Sequence, residues 1–439
     1  MQTATLEATA APRRSPMKWV PSLYLAQGLP FFAVNVIAQQ MLISMNVPNE
    51  QMTRWLGVLS LAWGFKWIWS PFLELAPSKK SVVVMFQLVG AAGLGLVAIS
   101  LNLPSFFLLA IVALALVSLA SATHDIACDG LYIASLSHKA QAQYAGWQGA
   151  FFNVARFVSA GGLLVAAGLL EKSIGVKGAW TVIFATLAVA MIVLGLYNLW
   201  SLPQARNTAA ADGSARAIGS TLWTVVRDFL AKPGIWVSIV FIILFRASEG
   251  QVQTVGPIFL RAAREAGGLG LSTDQVGWAY GTAGTVAFIA GSVVGGYFAA
   301  WLGLKRAMLW LTLAMNLPTV AFIFLSVVMP SNFALIAAAL SLEMFGYGFG
   351  FVGVILYLMQ VVSVGKYQTA HYAIGSGVMG LGMSLFRTIS GDIQVALGYQ
   401  HFFIWGLLCA VPVLILSRFV PLEAPAASEA APAAEPAHA

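Results

Sequence analysis

Charge is what this chain has least of. Asp, Glu, Lys and Arg make up 9% of its 439 residues, where a soluble domain carries roughly a quarter. With 59% hydrophobic residues beside that scarcity, a large water-soluble domain is excluded. Cysteine is scarce too: Cys128 and Cys409 both fall in apolar stretches, which rules out a disulfide framework or a cysteine metal site. Residues Met1 to Pro16 lack the apolar core of a cleavable signal, so the first apolar run is expected to direct its own insertion. The polar intervals are too short to build a nucleophile or metal cluster at a membrane surface, and no catalytic serine or cysteine dyad is seen, which argues against an enzyme. The net charge of +7 is spread over those intervals rather than clustered, which points to membrane topology and away from nucleic acid.

What fills the chain instead is apolar runs of the ~20 residues that cross a bilayer as helix. Twelve are read, at 19–45, 52–75, 81–101, 104–136, 143–170, 178–200, 234–260, 273–301, 306–328, 332–362, 367–397 and 400–420. The expected fold is an all-α integral membrane protein with two pseudo-symmetric six-helix bundles. It divides into a tail 1–17, bundles 18–200 and 233–420, a linker 201–232, and a C-terminal tail 421–439 too poor in apolar side chains to order itself. Fourteen Lys and Arg fall on the side of the termini and five on the other, which places both termini in the cytoplasm.

One stretch stands out, Ser121-Ala-Thr-His124-Asp125-Ile-Ala-Cys128-Asp129-Gly-Leu-Tyr132. Asp125 and Asp129 are four apart and share a helix face, which must look toward protein or water, since a charge in lipid costs at least ~2.5 kcal/mol. A carboxylate that gains and loses a cationic partner through a conformational cycle can bind and release a proton. Asp125, Asp129, Arg156 and His124 are therefore the candidate proton-coupling residues, with His124 equally readable as a helix-packing histidine. Lys66, set among tryptophans, suits a substrate anion or a partner for the fourth-span aspartates. Gln27, Arg246, Glu249, Glu343 and Arg387 complete the candidate substrate-binding set. Depth along the spans pairs Asp125 with Arg156 and Glu343 with Arg387, while Arg246 and Glu249, three apart, pair locally. The two halves echo one another in Arg156-Phe-Val-Ser159-Ala and Arg387-Thr-Ile-Ser390-Gly, as expected of a transporter with its site between repeats. The run Phe345-Gly-Tyr-Gly-Phe-Gly-Phe351 lies inside a span and reads as close helix packing, not a phosphate loop.

Several passages carry a family resemblance. Gly296-Tyr-Phe-Ala-Ala-Trp-Leu-Gly303-Leu-Lys305-Arg306 resembles the signature loop of the major facilitator superfamily, with Ala300 and Trp301 where that loop has Asp-Arg and Glu74 in the acidic place of its first-half copy. Lys66-Trp-Ile-Trp-Ser-Pro71, Ala122-Thr-His124-Asp125-Ile-Ala-Cys-Asp129 and Arg156 resemble the AmpG-type muropeptide permeases and their acetyl-coenzyme A transporter relatives, with His124 in place of the usual Gln. The resemblance implies proton-driven import through a bacterial inner membrane by alternating access, most readily of muropeptides or other amino-sugar cell-wall fragments. It calls for no cofactor beyond a proton gradient, no metal, and no partner other than solute, protons and lipid, with the chain acting as a monomer. Other sugars, siderophores, acyl-coenzyme A compounds, or a sensor that binds without moving its ligand remain open at this point.

Overall fold

The computed structural model describes residues 15–70, 73, 76, 78–136, 138–204, 215–365 and 367–422. Pro71 and Glu74, the tail 1–14, residues 205–214 of the linker and the tail from 423 lie outside them. Nine helical runs among the described residues are long and apolar enough to cross a membrane. Two of these are long enough to cross twice and are broken at Gly175 and Gly398, whose φ angles of +76° and +71° suit a residue without Cβ. With Asn49–Trp69, which is less apolar because one face lines the interior, this makes twelve crossings.

We number them α1 (Pro16–Ser44), α2 (Asn49–Trp69), α3 (Lys79–Ser100), α4 (Phe106–Ser135), α5 (138–174), α6 (176–201), α7 (Ile235–Arg261), α8 (Thr273–Leu302), α9 (Leu304–Val328), α10 (Phe333–Val362), α11 (368–397) and α12 (399–416). A further helix, Ala215–Leu230, precedes α7. The outer surface is apolar: on α4, Leu108, Val112 and Leu119 are each more than half exposed along one stripe, on a different face from Asp125. Such a stripe is stable against lipid and not against water. Trp200, Trp236, Trp301 and Tyr297 stand well exposed near helix ends, as interfacial aromatics do.

The two sets of six meet along α2 with α11 and α5 with α8. At the face remote from the termini they are fastened by polar contacts: Arg54 to Asp392 at 3.0 Å, Lys172 to Asp274 at 2.9 Å, Thr273 to Glu171 at 2.5 Å and Arg261 to Ser44 at 3.1 Å. Where α5 crosses α8 both helices widen into π turns, Phe157–Leu163 and Gly277–Ala283, a local geometry that tends to accompany function. A Cβ on Gly281 would stand 1.6 Å from the Ala160 carbonyl oxygen, whereas one on Gly162 meets open space. Gly281→Ala is thus expected to push α5 and α8 apart, at about 1–3 kcal/mol for overpacking. Its thermal midpoint in detergent should drop by a few degrees while Gly162→Ala holds the parent value; equal midpoints would mean the crossing is not tight. The glycines of α10 serve packing as expected, with Gly348 on the Phe288 carbonyl of α8 and Gly350 on Leu311 of α9.

Candidate functional site

Between the two sets of helices lies one cavity of about 790 Å³, walled by α1, α2, α4 and α5 on one side and α7, α8, α10 and α11 on the other. On the first wall Asp125 forms an ion pair with Lys66 of α2 and accepts a hydrogen bond from Gln27 of α1. One turn along α4, Asp129 is exposed outside the cavity lining and accepts from the Tyr24 hydroxyl at 3.1 Å, which itself accepts from Gln148 of α5. Phe31, Trp63 and Phe152 form an aromatic cluster beside them, with ring centroids 5.1 and 5.7 Å from Phe31.

The second wall repeats the first with different residues. Glu343 of α10, buried at the cavity's edge, accepts from Gln253 of α7 at 3.0 Å, and Gln253 accepts in turn from the Tyr280 hydroxyl. Gln27 to Asp125 and Gln253 to Glu343 are thus the same contact made in each half, a glutamine of the first helix on a carboxylate of the fourth. Arg246 and Glu249 pair at 2.9 Å as their spacing implies, both lining the cavity. A carboxylate this deep is held by hydrogen bonds or a cation, without which burial of the charge is prohibitive.

Two pairings expected from depth are corrected by the structure. Arg156 does not meet Asp125: its guanidinium lies over the Phe288 ring of α8 at 4.1 Å, within electrostatic reach of Glu343, Glu249, Tyr280 and Tyr347. Arg387 does not meet Glu343 either. It donates to the Asn35 side chain at 2.9 Å, the Asn35 carbonyl at 3.1 Å, Gln39 at 3.3 Å and Ser60 at 3.4 Å, all in the first half. Each half therefore lends an arginine to the other. The reason is azimuth, since both arginines sit on the faces of α5 and α11 that cross the opposite half. His124 is buried on the far side of α4, with Gln87 of α3 at 2.9 Å and Cys128 at 3.4 Å, and does not reach the cavity.

Sequence reasoning passed over Tyr24, Gln253 and Tyr347. Helical spacing could have found them, as Tyr24 is three before Gln27, Gln253 four after Glu249 and Tyr347 four after Glu343. Asn35, Gln39 and the aromatic cluster carried no comparable signal.

A family model described as Major Facilitator Superfamily matches residues 65–391. The anhydromuropeptide permease of Escherichia coli is 23% identical over 402 residues, covering 90% of this chain and 77% of its own. Among solved structures, a bacterial homolog of the human lysosomal transporter Spinster, inward-facing and unoccupied, superposes with a TM-score of 0.71 at 13% identity, covering 94% of this chain and 98% of that one. The nucleoside transporter NupG superposes at 0.63 with 14% identity, covering 92% and 98%.

Proposed function

The chain belongs to the Major Facilitator Superfamily, and from that premise we propose that it is a proton-coupled importer of muropeptides or related amino-sugar cell-wall fragments. It is a multi-pass membrane protein and a transporter, not an enzyme. In this reading it sits in a bacterial inner membrane with both termini in the cytoplasm, and bundles 18–200 and 233–420 rock about the cavity as a monomer, joined by the linker 201–232. Contacts that seal the face remote from the termini then correspond to a cavity offered to the cytoplasm.

The observation that carries the reading is the composition of the cavity wall. Among the described lining residues Lys66, Arg156, Arg246 and Arg387 stand against Asp125 and Glu249, a surplus of positive charge that suits a solute bearing carboxylates. Beside them Phe31, Trp63 and Phe152 offer ring faces of the kind that pack on sugar rings. A muropeptide has both parts, and the permease relative is named for that class. For coupling, Asp125 and Asp129 lie on one face of α4, and Asp125 holds a cation that a conformational change can withdraw.

The test is uptake of labelled anhydro-muropeptide into proteoliposomes with an inward proton gradient, beside N-acetylglucosamine and its oligomers. Accumulation that ends when the gradient is collapsed supports the reading. Uptake indifferent to the gradient removes the coupling, and binding without counterflow makes the protein a sensor.

A further inference from the structure

Helix α7 is not continuous. Its first segment ends at Phe245, Arg246 carries the break with φ −94° and ψ −1°, and a second segment starts at Ala247 with Glu249 in its first turn. Interrupted helices at mid-membrane are where transporters hold charged solute groups, because a helix N-terminus adds positive potential to the site. Here the break places a guanidinium, 7% exposed, and a carboxylate, 4% exposed, on the cavity wall.

The pair is poorly satisfied. Arg246 Nη1 and Glu249 Oε2 are 2.9 Å apart, yet neither Glu249 oxygen nor the Arg246 Nε and Nη1 atoms has a hydrogen bond of ordinary geometry. Arg246 Nη2 donates to the Met383 sulfur at 3.2 Å, the guanidinium lies 5.3 Å from the centre of the Phe351 ring, and the Tyr347 hydroxyl stands within hydrogen-bond reach of both Arg246 and Glu249. Around Glu249 stand Arg246 on its own helix, Arg156 of α5, Tyr280 of α8, and Tyr347 and Glu343 of α10. A guanidinium so placed can bind a planar carboxylate through two parallel hydrogen bonds, which Glu249, three residues away on the same helix, does not give it.

We infer that Arg246, with Arg156 opposite, is the subsite for a carboxylate of the solute, and that Glu249 holds it only while the cavity is empty. When a solute carboxylate takes over the guanidinium, Glu249 loses its partner at a buried position with Glu343 close by. It then takes a proton from the aqueous cavity, and no bond other than that O–H is made. The solute anion and one proton therefore enter together, through α7. This rests on the transport reading above, from which it differs in naming the group that is held and the carboxylate that pays for it with a proton.

The experiment is titration calorimetry on the full-length protein in detergent, in buffers of different ionisation enthalpy, which counts protons taken up per ligand bound. The probes are an anhydro-muropeptide, the same compound with its carboxyl groups amidated, and an N-acetylated dipeptide with a free carboxylate and no sugar. The expected result is about one proton per carboxylate probe bound, none for the amidated one, and an apparent Kd rising up to about tenfold per pH unit. In Glu249→Gln the uptake should vanish and carboxylate binding should become indifferent to pH. Uptake that persists in Glu249→Gln, or with the amidated compound in the parent protein, overturns the inference and leaves transport untouched. The second of these needs no variant to fold. Dipeptide binding with proton uptake but no muropeptide binding sustains the exchange and removes the amino-sugar reading. Absence of binding by both carboxylate probes to folded protein overturns it.

Discussion

Asp125→Asn is expected to lower gradient-driven accumulation of muropeptide sharply, leaving only the proton that enters with the solute at Glu249, while facilitated exchange stays measurable. Its carboxylate is the anion of a half-buried pair with Lys66, the two side chains 15% and 20% exposed. Removing only the carboxylate leaves an ammonium facing the cavity with Gln27 and an amide, and breaking such a pair costs about 3–5 kcal/mol where it is fully buried. The single variant should therefore also lose thermal stability. Asp125→Asn with Lys66→Met removes both charges, and is expected to recover most of the midpoint without recovering coupling. That split separates a proton site from a packing pair. A packing pair would regain accumulation together with stability. Asp129→Asn, tested alongside, removes the acceptor of Tyr24 and leaves Asp125 in place, so coupling that survives Asp125→Asn and falls only in Asp129→Asn would move the proton one turn along α4.

Arg387→Met is expected to shift the resting conformation. In the structure this guanidinium, 3% exposed, is shared among Asn35, Gln39 and Ser60 of the opposite half, three side chains and a carbonyl. Hydrogen bonds to a charged group are worth about 1.5–3 kcal/mol each in net terms, so losing even one is roughly a tenfold change in the balance between conformations. Spin labels at Ser173 and Glu265, both exposed on the sealed face, should report a short distance in the parent and a broadened, longer distribution in the variant. An unchanged distribution would mean that the ion pairs at Arg54 and Lys172 hold that face without help from Arg387.

How far the sequence could be read is visible in these same residues. The spans were legible because lipid demands an apolar run of fixed length, and eleven of the twelve C-terminal ends fall within four residues of expectation. The second span is the instructive exception, ending at Trp69 in the described helix rather than at residue 75. Asp125 and Asp129 were legible because a period of 3.6 puts them on one face, and Lys66 stood out as a lone ammonium among tryptophans. His124 follows from the same geometry once the face is fixed, since one residue of helix is a rotation of about 100°, enough to carry it from the cavity to α3. The pairing of Arg156 and Arg387 was not legible. Depth can be counted along a span, but the direction a long side chain takes depends on which helix lies across from it, and that is set by the packing of the two halves.

The exchange of arginines between halves also fixes an order of events. Asn35, Gln39 and Ser60 belong to the first two helices to be synthesised, while Arg387 belongs to the eleventh. Translation runs at about 5–20 residues per second, so the early helices wait many seconds in the bilayer with their polar groups facing one another or water. In the same interval Arg156 has no ring of Phe288 to rest on. The N-terminal bundle can thread its helices as they emerge, but it does not acquire its final interior until α11 has been made. A chain cut short before α11 is thus a bundle with an unfilled polar seam at Asn35, Gln39 and Ser60.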